Sequence, residues 1–329
     1  MARTLGASLA GVRTATPTRR AGERSTSEVP LAIQWWQVWW RAVRPFSFTA
    51  SMTPVIAGTA VAFASGPVSV WLFAATLVAS VAIHAGSNLI NDYYDHVRGV
   101  DTADAIGPSG VIQRGWLSPQ AMHTGALVLF ACGAVAGAAI IAVRGPVILL
   151  LGVLSVAAGY AYTGGPLPLG YLGLGDLVVF IFMGGVITVG SYFVQTGGIS
   201  AAAVWAALPI AALVDAILVA NNLRDLEGDC AQGKRTLAVV LGATATRTHY
   251  LALVVGAYVA VAAGVVLRGL PVWALATLLT IPFARRTWEA VRSEQDPLRM
   301  TVEGIRGTAR LHQSVGLLLA VAFVVSRFL

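Results

Sequence analysis

The chain has 329 residues, of which 57% are hydrophobic and 11% are charged, whereas soluble domains usually carry about 25% charged residues. This composition excludes an ordinary cytosolic enzyme, a disordered protein and a coiled coil, and it indicates a polytopic α-helical membrane protein that covers much of its surface with lipid. The formal net charge of +7 comes almost entirely from Arg residues scattered between apolar segments, which favours lipid headgroups or an anionic substrate over nucleic acid as a partner.

The N-terminal segment differs in composition from the rest of the chain. Residues 1–34 are rich in Arg, Ser, Thr and Pro, and we predict that they form a disordered tail. A transit peptide is the competing interpretation, because such peptides are also rich in Arg and Ser and poor in acids. The Trp-rich segment 35–41 follows and is expected to lie at the membrane interface. We predict that residues 35–329 form a single transmembrane domain.

Nine apolar segments follow, each close to the length of about 20 residues that a membrane helix needs. They cover residues 46–64, 70–91, 122–143, 147–162, 177–195, 201–221, 250–267, 270–284 and 311–328. The fourth and the eighth are short. The sequence therefore predicts an all-α fold with about nine transmembrane helices.

The basic residues predict the orientation of these helices. If the N-terminus is inside, the tail and the loops after spans 2, 4, 6 and 8 contain all the Lys and Arg residues except Arg144, Arg268 and Arg327. Such an asymmetry is typical of the cytoplasmic side of a membrane protein. We therefore expect a multi-pass plasma-membrane protein with its N-terminus in the cytoplasm.

Two clusters of acidic residues lie on that same side, and they share a pattern. The residues from Asn88 to Gly99, after span 2, are matched in polar character and spacing by those from Asn222 to Gly233, after span 6. Residues four apart share a helix face, so each copy presents two oxygen-bearing side chains in one direction. We expect two half-bundles to contribute these helix ends to one cavity.

Carboxylate and amide oxygens are the ligands that Mg²⁺ prefers, and neither thiolates nor paired histidines are present for zinc. The candidate ligands are Asn91, Asp92, Asp95, Asp225 and Asp229. Polar and basic side chains beside them would bind a metal-bridged diphosphate or its acceptor; these candidates are Asn88, Arg98, Arg114, Asn222, Arg224 and Lys234.

An isoprenoid diphosphate suits both this charged mouth and an apolar cavity. Mg²⁺ would promote loss of its diphosphate by Lewis-acid catalysis. The allylic cation that results could be stabilised by the aromatic faces of Tyr160 and Tyr162.

Alternative interpretations stay open for several residues. Tyr160 and Tyr162 also suit a membrane interface, and Asp92 also suits an ion pair with Arg. Asp176 suits a helix cap, and Asp215 is an acid within a span.

The two repeats resemble the aspartate-rich motifs of the UbiA superfamily of membrane prenyltransferases. The first reads Asn-Leu-Ile-Asn-Asp-Tyr-Tyr-Asp at 88–95; the second reads Asn-Asn-Leu-Arg-Asp-Leu-Glu-Gly-Asp at 221–229, with Gly-Lys-Arg-Thr-Leu at 233–237. Arg-Pro at 44–45, Tyr-Thr-Gly-Gly-Pro at 162–166 and Gly-Tyr-Leu-Gly-Leu-Gly-Asp at 170–176 support this. More narrowly, residues 35–329 resemble the 1,4-dihydroxy-2-naphthoate polyprenyltransferases of menaquinone biosynthesis (MenA type).

The resemblance implies a nine-helix bundle around a central cavity, with Mg²⁺ held by Asn91, Asp95, Asp225 and Asp229. It also implies that a polyprenyl diphosphate is joined to 1,4-dihydroxy-2-naphthoate with release of diphosphate and CO₂. The commonest first motif of the family has a further Asp where this chain has Gly99. The resemblance implies that Asp101 substitutes for it and takes part near the aromatic acceptor.

Two alternatives remain at this point. The same chemistry could act on another ring, such as homogentisate, 4-hydroxybenzoate or a specialised metabolite. A secondary transporter also uses internal repeats and polar residues between helices. Its site usually lies near the midplane of the membrane, whereas both acidic clusters here lie at one face, which favours the enzyme. The sequence leaves the oligomeric state open.

Overall fold

The computed structural model describes residues 34–101, 109–293 and 297–329. Residues 1–33 of the predicted tail lie outside this described part. Within it the chain is helical and contains no strand. The helices are α1 Trp35–Val43, α2 Thr49–Ser65, α3 Val70–Val97, α4 Pro119–Arg144, α5 Pro146–Ala161, α6 Gly175–Thr196, α7 Ala201–Arg224, α8 Leu226–Ala231, α9 Leu237–Val266, α10 Ile281–Arg292 and α11 Met300–Ser326. Shorter helical turns occupy Pro45–Ser47, Leu169–Leu172, Val272–Thr280 and Pro297–Arg299.

All nine predicted apolar segments lie on helical structure, although not all of them are complete spans. Six of the described helices (α3, α4, α6, α7, α9 and α11) are long and apolar enough to cross a membrane. A seventh candidate is the pair formed by Trp35–Ser47 and α2, which is bent by 53°. Helix α5 is shorter, and the eighth predicted segment is a 3₁₀ stretch that continues into α10. The number nine is therefore not confirmed, whereas the all-helical membrane fold is.

Local sequence signals explain where several of these helices begin. A Ser or Thr immediately before the first turn accepts a hydrogen bond from a backbone amide of that turn, as in an N-cap. Ser118 accepts from the amide of Ala121 at 3.1 Å, and Ser200 accepts from that of Ala203 at 3.1 Å. These caps give α4 and α7 defined starting points.

The main core lies between α2, α6, α7, α9 and α11, and small residues allow its helices to approach closely. Among the six described spans, helix α7 is the most enclosed, because 67% of its most apolar 18-residue stretch is buried. A Cβ atom at Gly184 of α6 would lie 2.1 Å from the Cα of Ala211 on α7. Membrane helices pack closely through such residues. The core therefore holds α6 and α7 together, and these two helices lead to the polar regions described below.

A second core cluster joins α1, α3 and α4. Its fully enclosed side chains include Leu89, Ile90 and Met122. Leu89 and Ile90 lie within the first acidic motif on α3, so this cluster anchors the helical turn that carries the motif. Many large apolar side chains on other faces are exposed, as expected of a surface that contacts lipid.

Candidate active site

The two acidic motifs meet at one end of the bundle. Asp95 lies in the last turn of α3, and Asp229 lies in α8, which follows α7. The Nζ atom of Lys234 is 4.0 Å from Oδ2 of Asp95 and 3.4 Å from Oδ1 of Asp229. One ammonium group therefore connects the motifs, although they are far apart in sequence.

Hydrogen bonds orient the carboxylate of Asp95 in the first motif. Asn91, one turn earlier on α3, donates from Nδ2 to Oδ2 of Asp95 at 3.1 Å. The hydroxyl of Tyr171 donates to the other oxygen of Asp95. Nη2 of Arg44 donates to Oδ1 of Asn91 at 3.1 Å. The pair Asn91 and Asp95 is therefore held on the face that meets the second motif.

A glycine turn explains how Asp101 returns to this site. Gly99 has a φ of +74°, a left-handed conformation that glycine adopts without strain. The backbone amides of Val100 and Asp101 then donate to the carbonyl oxygen of Asp95, at 2.8 and 3.1 Å. Burial, followed by the nearby negative charge of Asp95, raises the pKa of Asp101 to about 6.

The second motif ends in a similar turn. Gly233 has a φ of +73°, and the backbone amide of Lys234 donates to the carbonyl oxygen of Asp229 at 2.8 Å. The side chain of Asp229 is almost completely buried, and this burial raises the pKa of its carboxyl to about 6 although Lys234 opposes the change. Asp225 is more open and forms a two-pronged ion pair with Arg224 at 2.7 and 2.6 Å.

Arg98 connects α3 to the loop between α5 and α6. It donates to the carbonyl oxygens of Thr163 and Gly165, the latter at 3.0 Å. Its guanidinium also lies over the ring of Tyr171, with its Cζ atom 4.9 Å from the centroid, and Lys234 lies 5.2 Å from the same centroid. Tyr171 is thus held between two cations while it donates to Asp95.

Two tyrosines predicted to contact the prenyl cation lie near this loop. The hydroxyl of Tyr160 is 2.7 Å from that of Tyr94 on α3. Tyr162 packs against glycines, because a Cβ at Gly175 would lie 3.1 Å from its hydroxyl oxygen. The structure therefore places both rings at the same end of the bundle as the acids.

Four of the predicted residues have other partners or lie apart from the meeting point of the motifs. Asp92 is buried, forms an ion pair with Arg44 and accepts a hydrogen bond from Ser109. Arg114 donates to the carbonyl oxygens of Ser109 and Gly110 at 3.4 and 3.3 Å, and lies over the ring of Trp116.

The two asparagines of this group differ in their contacts. Asn88 donates to the carbonyl oxygen of Val43 at 3.0 Å and to Oγ of Ser47 at 3.1 Å. Asn222 is half-buried, and its side chain forms no hydrogen bond with the described residues. The structure thus assigns Asn88 a contact with the entry to α2.

Arg44 and Tyr171 contact acids of the first motif, but the sequence does not predict them as site residues. Arg44 is buried and has a φ of +56°, which is uncommon for a residue other than glycine. Tyr171 stands in a glycine-rich loop. Arg44 next to proline and Tyr171 between glycines were visible as unusual local sequences, but their contacts with Asn91 and Asp95 depend on the tertiary fold.

Comparison with known proteins identifies the family of this chain. The model of the UbiA prenyltransferase family matches residues 51–302. A 1,4-dihydroxy-2-naphthoate octaprenyltransferase of Bacillus subtilis is 34% identical over 292 residues, which is 89% of this chain and 94% of that protein. The chain therefore belongs to the UbiA prenyltransferase family, and it is a multi-pass membrane enzyme.

Solved structures agree with this fold at low sequence identity. A UbiA homologue from Aeropyrum pernix aligns with a TM-score of 0.63 and 16% identity, over 84% of this chain and 97% of that one. A UbiA homologue from Archaeoglobus fulgidus, solved with GPP and Mg²⁺, aligns with a TM-score of 0.57 and 18% identity, over 86% and 99% of the two chains. The helical arrangement is thus that of a UbiA protein.

Proposed function

We propose that this enzyme transfers a polyprenyl group to 1,4-dihydroxy-2-naphthoate, as a step of menaquinone biosynthesis. The observation that carries the proposal is the position of Lys234 between Asp95 and Asp229, because this contact brings the two motifs together. The acids of such a centre would bind a metal ion, and its basic residues would bind the diphosphate. The acceptor is supported by the Bacillus subtilis relative, whose name specifies the same naphthoate.

The donor set of this centre fits Mg²⁺. Asn91, Asp95, Asp225 and Asp229 offer amide and carboxylate oxygens, which are hard ligands. The ammonium of Lys234 lies between two of these carboxylates, which shows where the negative charges of the two motifs converge. When bound, Mg²⁺ would neutralise the diphosphate and favour its departure from the allylic carbon. Mg²⁺ and GPP in the Archaeoglobus fulgidus neighbour support this choice.

The chain's own cations would act on the diphosphate in different ways. Lys234 and Arg224 lie beside the second motif, where each is paired with a carboxylate that a metal ion would compete for. Arg98 donates to loop carbonyls, so we assign it the positioning of Tyr171. The diphosphate would then be held by Lys234 and Arg224, with Arg98 keeping the loop against α3.

The remaining residues suit the acceptor and the cationic prenyl group. A carboxyl whose pKa is about 6 because of burial is close to neutral pH, where a general base is effective. Asp101 would therefore accept the proton of a ring hydroxyl as the ring attacks, and would return it as CO₂ leaves. Tyr160 and Tyr162 would offer aromatic faces to the developing allylic cation. Diphosphate and CO₂ would be the other products.

A product assay with a panel of acceptors tests this proposal. Membranes that contain the protein would be incubated with Mg²⁺, a labelled long-chain prenyl diphosphate and either 1,4-dihydroxy-2-naphthoate, homogentisate or 4-hydroxybenzoate. We expect a single prenylated, decarboxylated product from the naphthoate. The matched variants are Asp229→Asn, which should lower turnover at least about 100-fold, and Glu227→Gln, which removes an exposed acid from the same short helix and should preserve turnover.

Each other outcome of this assay has a clear meaning. Product from another ring alone would replace the proposed acceptor and keep the enzyme class. Full turnover by Asp229→Asn would contradict the assignment of the second motif. No product from any ring, together with solute flux in vesicles, would support a transporter instead.

A further inference from the structure

A second polar cluster lies deeper in the bundle, where three helices meet. It consists of Asp176 near the start of α6, Asp215 in the middle of α7 and His249 in α9. One ligand atom from each residue lies within 4.8 Å of the other two, and Nε2 of His249 is 3.8 Å from Oδ1 of Asp176. None of these residues belongs to the repeated acidic motifs.

The two carboxylates of this cluster are buried and incompletely paired. Asp176 is 6% exposed and Asp215 is 3% exposed. Oδ2 of Asp176, Oδ1 of Asp215 and Nε2 of His249 are all buried without a hydrogen-bond partner. Buried polar atoms are nearly always hydrogen-bonded, so three orphaned atoms at one point require an explanation.

The basic side chain that contacts these two acids is that of His249. Two carboxylates this close in an apolar interior need a cation or a shared proton, because an unpaired buried charge costs several kcal/mol.

We propose that Asp176, Asp215 and His249 bind a divalent transition-metal ion, with Zn²⁺ as the representative. Three points within 4.8 Å of one another have a common centre at most about 2.8 Å from each. Zinc ligands lie at about 2.0–2.2 Å, so small side-chain rotations would complete the coordination. The imidazole nitrogen favours this class of metal over Mg²⁺, and three protein ligands leave a position open for water or another molecule.

This site is separate from the proposed Mg²⁺ centre, and it does not depend on the proposed prenyl transfer. Asp215 precedes Asp225 by ten residues on the same helical path, which corresponds to about 15 Å along the axis. The hydroxyl of Tyr162 lies beside Gly175, the residue before Asp176. An ion bound here would crosslink α6, α7 and α9 beneath the loop that carries Tyr171.

Metal analysis of the purified protein tests the proposal without any activity assay. Tag-free protein in detergent would be stripped with chelator, incubated with Zn²⁺ in the presence of excess Mg²⁺, and desalted. We expect wild type to retain one more equivalent of Zn²⁺ than Asp215→Asn and His249→Gln. Asp225→Asn is the matched control, because it removes an acid from the same helical path but should retain the extra equivalent.

Two further measurements keep the proposal falsifiable. Co²⁺ loading should give the visible absorption of a low-symmetry site in wild type and in Asp225→Asn, and that absorption should be absent from the two cluster variants. Zn²⁺ should also raise the unfolding temperature of wild type more than that of His249→Gln, whose side chain is partly exposed and is expected to be tolerated. The proposal would be overturned if wild type and the three variants retained equal amounts of Zn²⁺, or if none of them retained any. The two buried carboxylates would then be stabilised by a shared proton instead of a metal ion.

Discussion

Lys234 makes the contact on which the account of the active site depends. Its ammonium approaches one carboxylate from each motif, Asp95 at 4.0 Å and Asp229 at 3.4 Å. Asp95 is further held by Asn91 and by Tyr171, which leaves its carboxylate directed at this centre. At the scale of single residues, the site is a group of carboxylates whose charge needs a cation.

The raised pKa of Asp229 predicts how metal use depends on pH. Burial raises this pKa to about 6, so the carboxyl is ionised at pH 7.5 and mostly protonated at pH 5.5. Protons then compete with the metal ion, since ligands must be deprotonated. We expect the Mg²⁺ concentration for half-maximal turnover to rise by about fourfold as the pH falls over this range.

Turnover against Mg²⁺ concentration at the two pH values measures this effect. The Glu227→Gln protein is the control and should show the same pH dependence as wild type, because Glu227 is exposed. A constant Mg²⁺ requirement between pH 7.5 and 5.5 would contradict a metal role for the carboxyl of Asp229.

The sequence predicts that Asn91 and Asp95 point the same way, and the reason is the local periodicity of helices. Asn91 and Asp95 are one turn apart, so their common direction follows from helical geometry alone. Asp92 is one residue further along the turn, and the structure directs it to Arg44 and Ser109. The contribution of Tyr171 could not be predicted, because it depends on how the loop before α6 folds across α3.

The same limit applies to the cluster of Asp176, Asp215 and His249. In the sequence, Asp215 stands out as an acid within a predicted span, and Asp176 as a candidate helix cap. Their proximity to each other and to His249 is a consequence of how α6, α7 and α9 pack. Contacts between elements far apart in the chain leave no periodic signal in a single sequence.

Close helix packing is the principal feature at the scale of elements. A Cβ at Gly58 of α2 would lie 2.1 Å from the carbonyl oxygen of Thr188 on α6, so this glycine permits the two helices to touch. Helix boundaries follow capping residues, whereas these contacts follow from residue size. Small residues at these contacts position α6, at whose start Asp176 lies.

Alanine substitution of two helical glycines tests this packing. Gly58→Ala should lower the free energy of unfolding by about 1–3 kcal/mol, because the added methyl overpacks the contact with Thr188. Gly256→Ala in α9 should leave it unchanged or raise it by up to about 1 kcal/mol, because a Cβ there meets no neighbour within 4 Å and alanine favours the helix.

Unfolding in detergent, followed by circular dichroism, compares the two variants with wild type. The order of stability should be Gly256→Ala, wild type, Gly58→Ala. If Gly58→Ala were as stable as Gly256→Ala, the close approach of α2 and α6 would be wrong.

At the scale of the whole molecule, both motifs lie at one end of a helical membrane bundle. The distribution of basic residues predicts that this end faces the cytoplasm, with the loop between α6 and α7 on the opposite side. That orientation would let a water-soluble aromatic acid and a membrane-embedded prenyl chain reach one site from different phases.

Cysteine labelling tests the orientation. Cys230 is exposed in the second motif and should react with a membrane-impermeant maleimide in inside-out vesicles but not in right-side-out cells. The matched variant is Gly198→Cys in a Cys230→Ser background, which places a thiol in the exposed loop between α6 and α7 and should show the reverse pattern. Cys132 would be replaced by Ser in both proteins. Labelling of Cys230 from the outer side would contradict the predicted topology.

We propose that the two motifs act as one centre, and a double-mutant cycle on Asp95 and Asp229 tests this. Turnover would be measured for wild type, Asp95→Asn, Asp229→Asn and the double variant, at saturating Mg²⁺ and prenyl diphosphate. If both carboxylates hold the same ion, each single substitution should lower turnover at least about 100-fold. The second substitution, added to the first, should lower turnover further by less than about tenfold. Full additivity of the two losses in free energy of activation would contradict a shared centre.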